Sequence, residues 1–468
     1  MLNEKTLYSQ IWFNHQPFMA FISYFVQAFT HPINIFDLLL KHRQFIMLAA
    51  LFMDALIIYR FGLAGVGFTL FYEFGKFYIF GDRFLGEALI PYLMVYLLGL
   101  IWYKYSKREI TKLDYILSAV FTWLIIFLRE PYLLCAVFVY FVILFNKSDY
   151  RIKMISFATF SFLTIATILI LPVKDYYFQV VEQNRIFFFS GTSRVNSFNI
   201  FKMFFYPIDL YLEGVWNLFR ILILGLNTIF IVLLALYLKS SKNLKLILIL
   251  VVILGLANIR PVLPGLIFYS AFHLLPWFGM LIFVIFLMLK DLWKDNPNIT
   301  KIALGILILL FFYLTLSPNS YIHDKISPQD ELINNYGNII QIGEVTRHLS
   351  NQNSTLFLDG ADDLIYWQAK LLSPYKYAWY TAYMPLFPVY TDARTEMFNT
   401  NPPDFYYAFC NAKGLPESSL PSNVLNQYEP LYSFGKPSCL YIRKAIIPQV
   451  SEQQWKAAAD FKYELSTK

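Results

Sequence analysis

Charge is scarce in this chain. Only 15% of its 468 residues are Asp, Glu, Lys or Arg, against roughly 25% in an ordinary soluble protein, so a water-facing surface over most of the length is excluded. Cysteine is scarcer: Cys135, Cys410 and Cys439 are the only three, and they lack the spacing of a metal site. Cys410 and Cys439 could be joined by a disulfide, though sequence alone sets no geometry for it. No Walker A sequence, GxGxxG, HExxH or credibly placed GxSxG is present, which leaves nucleotide-driven transport without support. Internal repeats and low-complexity tracts are lacking too. The first residues, MLNEKTLYSQ, do not read as a basic region followed by a compact apolar core, so no cleavable signal peptide is expected.

What is abundant is apolar surface. The chain is 57% hydrophobic and 19% aromatic, with a mean hydropathy of +0.49. Apolar runs at 154–173, 218–238, 245–257, 273–289 and 302–316 are near the length that spans hydrocarbon as a helix, which satisfies its own backbone polar groups there. The fold class expected is a polytopic α-helical membrane protein. Ten spanning helices are predicted near 45–60, 62–79, 85–103, 114–128, 131–146, 154–173, 216–238, 244–258, 273–290 and 302–317. The net charge of +7 is assigned to basic membrane-facing loops and implies no nucleic acid.

Orientation is read from the basic residues. Connections holding Arg60, Lys104 to Lys112, Lys147 to Lys153, Lys239 to Lys245 and Lys290 to Lys301 carry fourteen Lys and Arg, against seven spread over the longer opposite connections. The denser set is expected in the cytoplasm, which places the segment before residue 45 and the tail after 317 outside it. Between Pro17 and His31 lie thirteen residues, about 20 Å as a helix and short of the roughly 30 Å of hydrocarbon. Ser23 and Gln27 share one face of it, and Phe18, Phe21, Ile22, Phe25 and Phe29 the other. It is expected to lie flat in the interface with its aromatic face in lipid. From 318 Pro, Asn, Asp and Ser recur; helices at 332–349 and 362–372, strands at 354–360, 404–409 and 438–444, and a terminal helix suggest a small extracytoplasmic α/β domain. The domains expected are thus an outer loop with juxtamembrane helices at 1–44, a transmembrane helical domain at 45–317 and the α/β domain at 318–468.

Polar groups at helix ends on one side of a membrane are the places to look for chemistry. Four clusters qualify on the expected outer side: Asn14, His15 and Gln16 with Arg43; "GDRFLGEALI" with Asp82, Arg83 and Glu87; the loop 174–215 with Arg185 and Arg194; and "NIRPVLPGLIFYSAFHLLPW" with Arg260, Tyr269 and His273. Each has a plainer reading. Glu87 could simply pair with Arg83, Arg185 and Arg194 could touch lipid headgroups, and His273 could be an interfacial histidine without a ligand. Asp54 and Glu73, inside apolar runs, are explained by default through pairing within the bundle.

In order along the chain, "LYSQIWFNHQPFMAF", Arg43, "GDRFLGEALIPYLMVYLLGL", "FLREPYLLCAVFVYFVILF", "IRPVLPGLIFYSAFHLLP" and the tail "DGADDLIYWQAKLLSPYKY…NPPDFYYAF…SCLYIRK" resemble the GT-C glycosyltransferases, in particular the protein mannosyltransferase and aminoarabinose transferase-like branch. The resemblance implies a GT-C-like fold and transfer of a sugar from a polyprenyl-phosphate carrier to a lipid, glycan or protein acceptor on the outer face of the cell membrane. It also implies roles for residues. Glu87, or Asp82, matches the second acidic position and is the catalytic candidate, a carboxylate that would help position the acceptor hydroxyl and accept its proton; Arg260, His273 and Arg194 would stabilise charge on the leaving phosphate; Arg43, His15 and Tyr269 would help bind substrate. No cofactor is assigned and a divalent metal is left open. Members of the branch carry a further spanning helix before this first outer loop, with the main catalytic carboxylate soon after it. Glu4 stands too near Tyr8 to match that carboxylate, so the sequence is expected to lack both. A lipid-linked polysaccharide polymerase or ligase, and a transporter, are the alternatives.

Overall fold

The computed structural model describes residues 4–145, 150–189, 218–241, 243–259, 272–316, 336–360, 363–381, 383–410 and 416–465. They divide into two compact units. The first joins Met1–Phe13 and Thr30–Leu39 to Pro328–Lys468; the second comprises Asn14–Phe29 and Leu40–Ser327. Residues 1–44, set apart in the sequence reading, are thus distributed between both.

The second unit is a helical bundle. All ten expected segments contain a helix, and five described helices are long and apolar enough to cross a membrane: Ile35–Phe61, Gly86–Tyr105, Tyr150–Ile170, Ile221–Ser240 and Phe272–Leu292. Others fall short: Leu63–Lys76, with 14 residues, reaches only about 21 Å. Gly86–Tyr105 and Leu275–Leu292 are the centre, buried on every side, and so their sequences are apolar all round with no polar stripe. Tyr150–Ile170 is peripheral, with Phe162, Leu169 and Ile170 exposed. Close approach at the centre depends on glycine. A Cβ on Gly67 would stand 2.3 Å from the Phe286 ring, and one on Gly99 equally near Phe61. Small residues at helix contacts let backbones approach without water's help, as lipid-embedded packing requires.

One end of this bundle is basic and tightly bonded. Arg60 donates two bonds to Asp114 through Nε, at 2.9 and 3.1 Å, and a third through Nη2 at 2.8 Å, while the Tyr96 hydroxyl donates to the same carboxylate at 2.6 Å. Asp114 also closes a capping box with Thr111 at the start of the helix Lys112–Leu128, satisfying backbone N–H groups that a helix start leaves open. Lys104 and Lys290 donate to the carbonyls of Phe145 and Phe61 at 2.7 and 3.0 Å, neutralising helix C-termini. Asp54 accepts from Thr69 at 2.9 Å, and Glu73 pairs with Lys76 and the Tyr92 hydroxyl; both acidic residues inside apolar runs have partners in the bundle.

The opening helix, Phe18–Thr30, departs in part from expectation. Phe25 and Phe29 are exposed, but Phe18 lies edge-on to Trp123 with centroids 4.7 Å apart, and Ile22 packs on the core. The polar pair turns inward: Gln27 donates to Ser23, whose Oγ lies 2.9 Å from His42 Nε2. Period alone cannot say that one helix contacts protein on two sides.

The first unit is built on a five-stranded mixed sheet of order β1-β2-β6-β5-β7, where β1 is Leu356–Leu358, β2 Phe405–Tyr407, β5 Tyr428–Ser433, β6 Lys436–Arg443 and β7 Tyr463–Glu464, while β3 (Phe409–Cys410) and β4 (Pro416–Glu417) pair separately. β1 and β2 run parallel, the rest antiparallel. Helices Tyr336–Leu349, Leu364–Ala369 and Glu452–Asp460 meet the expectations for this region, whereas Pro388–Thr400 and β5 were not foreseen. Asp359, directly after β1, is held by Arg394, the Tyr406 hydroxyl at 2.7 Å and Ser419 at 3.0 Å; this saturated ionic knot ties β1 to β2 and to Pro388–Thr400. Leu7, Tyr8 and Trp12 are buried in this unit, Trp12 edge-on to Trp379. Cys410 and Cys439 are joined, 29 residues apart.

Two stability predictions follow from these contacts. Asp114→Ala strands the Arg60 guanidinium and removes a cap, so unfolding of detergent-purified protein should cost about 3 kcal/mol less; an unchanged midpoint would contradict the network. Cys439→Ser opens a loop whose closure contributes about 3–4 kcal/mol, and the non-reducing mobility of peptides spanning 410 and 439 reports the bond directly.

Candidate functional site

The second charged constellation of the bundle gathers where Gly86–Tyr105 begins, twenty residues, or about 30 Å, along that helix from its basic end. Four stretches of chain supply it. The helix Lys112–Leu128 stops at Leu128, and Arg129 is extended at φ −158°. Pro131 prevents Glu130 from continuing the helix, and a short turn over Glu130–Tyr132 starts the next one. Two opposite charges therefore sit together at a break between apolar helices. Gly86 lies against this break: a Cβ there would stand 3.0 Å from the Leu128 carbonyl oxygen. That approach brings Glu87, in the first turn, onto Arg129.

Arg129 Nε donates to Glu87 Oε1 at 2.8 Å, and His273 Nδ1 meets the same oxygen at 3.0 Å. His273 comes from the short turn preceding the helix Leu275–Leu292, and the Tyr132 hydroxyl donates to its carbonyl at 3.3 Å. On its other side Arg129 Nη1 lies 3.8 Å from Glu130 Oε1, and His15 Nδ1 is 3.1 Å from that oxygen. The result is one chain of charge: His273–Glu87–Arg129–Glu130–His15. Ionised carboxylates only accept, so in both histidines Nδ1 carries a proton, and whenever the ring is neutral its basic lone pair is on Nε2.

Exposure is graded along the chain of charge. The side chains are 0% accessible at Glu87, 4% at His273, 10% at Arg129, 24% at Glu130 and 34% at His15, so the network is sealed at Glu87 and opens at His15. Burial lowers the His15 pKa below its ordinary value, the Arg129 charge acts in the same direction, and Glu130 opposes both. The neighbours of His15 are pinned: Asn184 Nδ2 donates to the Asn14 carbonyl at 2.8 Å, and the Tyr176 hydroxyl to Gln16 Oε1 at 2.9 Å. These partners flank a π-helical stretch, Tyr177–Glu182, a distortion that recurs at functional sites.

Three carboxylate oxygens, Glu87 Oε2, Glu130 Oε2 and Asp82 Oδ1, are buried with no hydrogen-bond partner among the described residues. Leaving such a group unmatched costs about 1–3 kcal/mol or more, so their gathering at one helix start needs a reason. Nearby, Arg43 Nη1 lies 3.4 Å from Asp82 Oδ2, and the Arg83 guanidinium sits 3.7 Å over the Phe80 ring. No cluster of three or more His, Cys, Asp or Glu able to hold a metal occurs among the described residues.

Of the residues singled out in the sequence, Glu87 and His273 are in direct contact, His15 joins them through two intermediates, and Arg43 and Asp82 form their own pair. Arg194, Arg260 and Tyr269 lie outside the described residues. Glu87 pairs with Arg129, not with Arg83 as its plainer reading had it, and Arg185 is near Glu182 at 3.6 Å. Arg129 and Glu130 were not singled out. Their signal was nonetheless present: "REP" puts two opposite charges and a helix-breaking proline between apolar runs. Compared with known proteins, the chain matches no family model, no curated protein and no solved structure.

Arg129→Met should destabilise the bundle by about 3–5 kcal/mol because two carboxylates lose their shared cation. Adding Glu87→Gln should restore part of that loss in a thermal-unfolding cycle, whereas simple additivity would mean that the two side chains do not interact.

Proposed function

We propose that this chain is a membrane glycosyltransferase that moves a sugar from a polyprenyl-phosphate carrier to an acceptor at the outer face of the membrane. What supports the reading is that a graded network of acids and bases gathers at one end of an apolar bundle, and that three of its five members, Glu87, His273 and His15, stand at sequence positions the GT-C resemblance singled out. Basic connections dominate the opposite end, which favours the cytoplasm for that end and the outer compartment for the site. A disulfide in the sheet-bearing unit suits the same compartment.

Transfer breaks the bond between the anomeric carbon and the carrier phosphate, and negative charge grows on that phosphate. Fixed cations near the membrane surface stabilise it most when they are held in place beforehand. Arg43 and Arg83 are the described candidates, with His273, Arg194 and Arg260 retained from the resemblance and Tyr269 as a substrate contact. Glu87 is the wrong group to take a proton, being sealed and already shared between Arg129 and His273. Its proposed role is to hold those two groups. The acceptor is a lipid, glycan or protein hydroxyl.

Purified protein in lipid nanodiscs, offered radiolabelled polyprenyl-phosphate sugars with membrane-extract acceptors, should form labelled product. Glu87→Gln and Arg260→Ala should each lower the rate at least about 100-fold, the scale of losing one charge-stabilising group. Full turnover in both variants would count against the site, and no transfer or donor binding across the panel against the reading itself.

A further inference from the structure

We infer that the His15–Glu130 pair is the general base of the transfer, with His15 Nε2 removing the proton of the acceptor hydroxyl. The inference rests on the glycosyltransferase reading and assigns a role within it. Three observations on the geometry carry it. His15 Nδ1 lies 3.1 Å from Glu130 Oε1, so the carboxylate fixes the tautomer that puts the basic lone pair on Nε2 and stabilises the imidazolium formed on proton transfer. His15 is the most accessible member of the network, at 34%, whereas Glu87 is closed off. The segment bearing His15 is anchored on both sides, through Asn14 to Asn184 and through Gln16 to Tyr176, so the ring is held in position before substrate arrives.

The step balances without a co-reactant. The acceptor oxygen forms its bond to the anomeric carbon as its proton moves to His15. The bond from that carbon to the carrier oxygen breaks with its electron pair left on the phosphate, and the proton on His15 then passes to solvent. Among the described residues, Arg129, Glu130 and Glu87 act electrostatically on the ring, and Tyr176 acts on Glu130. Burial and Arg129 lower the proton affinity of His15, which favours the neutral ring that the step requires.

The test has two arms. In the first, diethyl pyrocarbonate modification of His15 is followed by mass spectrometry against pH in the wild-type protein and in Glu130→Gln. Wild type should show a midpoint below the ordinary histidine value near 6.5. Removing Glu130, which raises that midpoint, should move it further down; an unchanged midpoint would overturn the pairing. In the second, His15→Asn should lower the sugar-transfer rate about 10²–10⁴-fold with little change in KM for the donor, and Glu130→Gln should lower the rate while shifting its acid limb to lower pH. An active wild type whose His15→Asn variant keeps more than about a tenth of its turnover would overturn the base assignment alone. Loss of activity in Glu130→Gln but not in His15→Asn would move the role to Glu130 and overturn it too. A wild type that binds donor but transfers nothing would overturn the base assignment, and one that neither transfers nor binds any donor would defeat the transferase reading, while the modification arm still decides whether the pair exists.

Discussion

A guanidinium shared by two carboxylates organises the site end of the bundle. Arg129 stands between Glu87 and Glu130, and each of those acids carries a histidine. An isolated charge among apolar helices would be driven to neutralise or to leave. Here Glu87 meets Arg129 and His273, and Glu130 meets His15, each from a different part of the chain. Because breaking one pair exposes the next, the cluster behaves as a unit that fixes how four segments meet: the break before Pro131, the start of Gly86–Tyr105, the turn before Leu275–Leu292 and the opening segment around His15.

The same logic operates at the other end, with a different outcome. Asp114 is saturated by Arg60, Tyr96 and Thr111, and lysines cover helix C-termini. That end is a closed lock. At the site end, three carboxylate oxygens are left over among the described residues and exposure rises toward His15. Asp359 in the sheet-bearing unit is likewise saturated, whereas these three oxygens are not. This contrast, more than any single residue, is why the Glu87 end attracts a functional reading. Under the proposed function, the gradient would also divide the labour within it. A sealed carboxylate bound by two basic groups is a poor proton acceptor but a good anchor, and the accessible histidine beside a carboxylate is the reverse.

Much of the fold was legible. Apolar runs separated by basic clusters are a strong signal because the bilayer forces backbone groups into helices, and each of the ten segments read from hydropathy contains one. Strands 354–360, 404–409 and 438–444 were found because β-branched and aromatic residues cluster between turn formers. β5, "YEPLYS", was missed because proline and glutamate demote it as a strand, although its neighbour β6 pairs with it. In the site, Glu87, His273 and His15 were singled out by residue type and place. Arg129 and Glu130 were passed over because a charge beside a helix break has an ordinary explanation until its partners are known.

Composition and pattern by themselves determined that this chain is a helical membrane protein with a small α/β portion, since hydrocarbon and water impose their periods on any sequence. The tertiary structure alone decided which charges share a bond. Glu87 lies four residues from Arg83 but bonds to Arg129, 42 positions away, and to His273, 186 away. Electrostatic pairing depends on distance in space and on local dielectric, and neither is written along the chain until the helices pack.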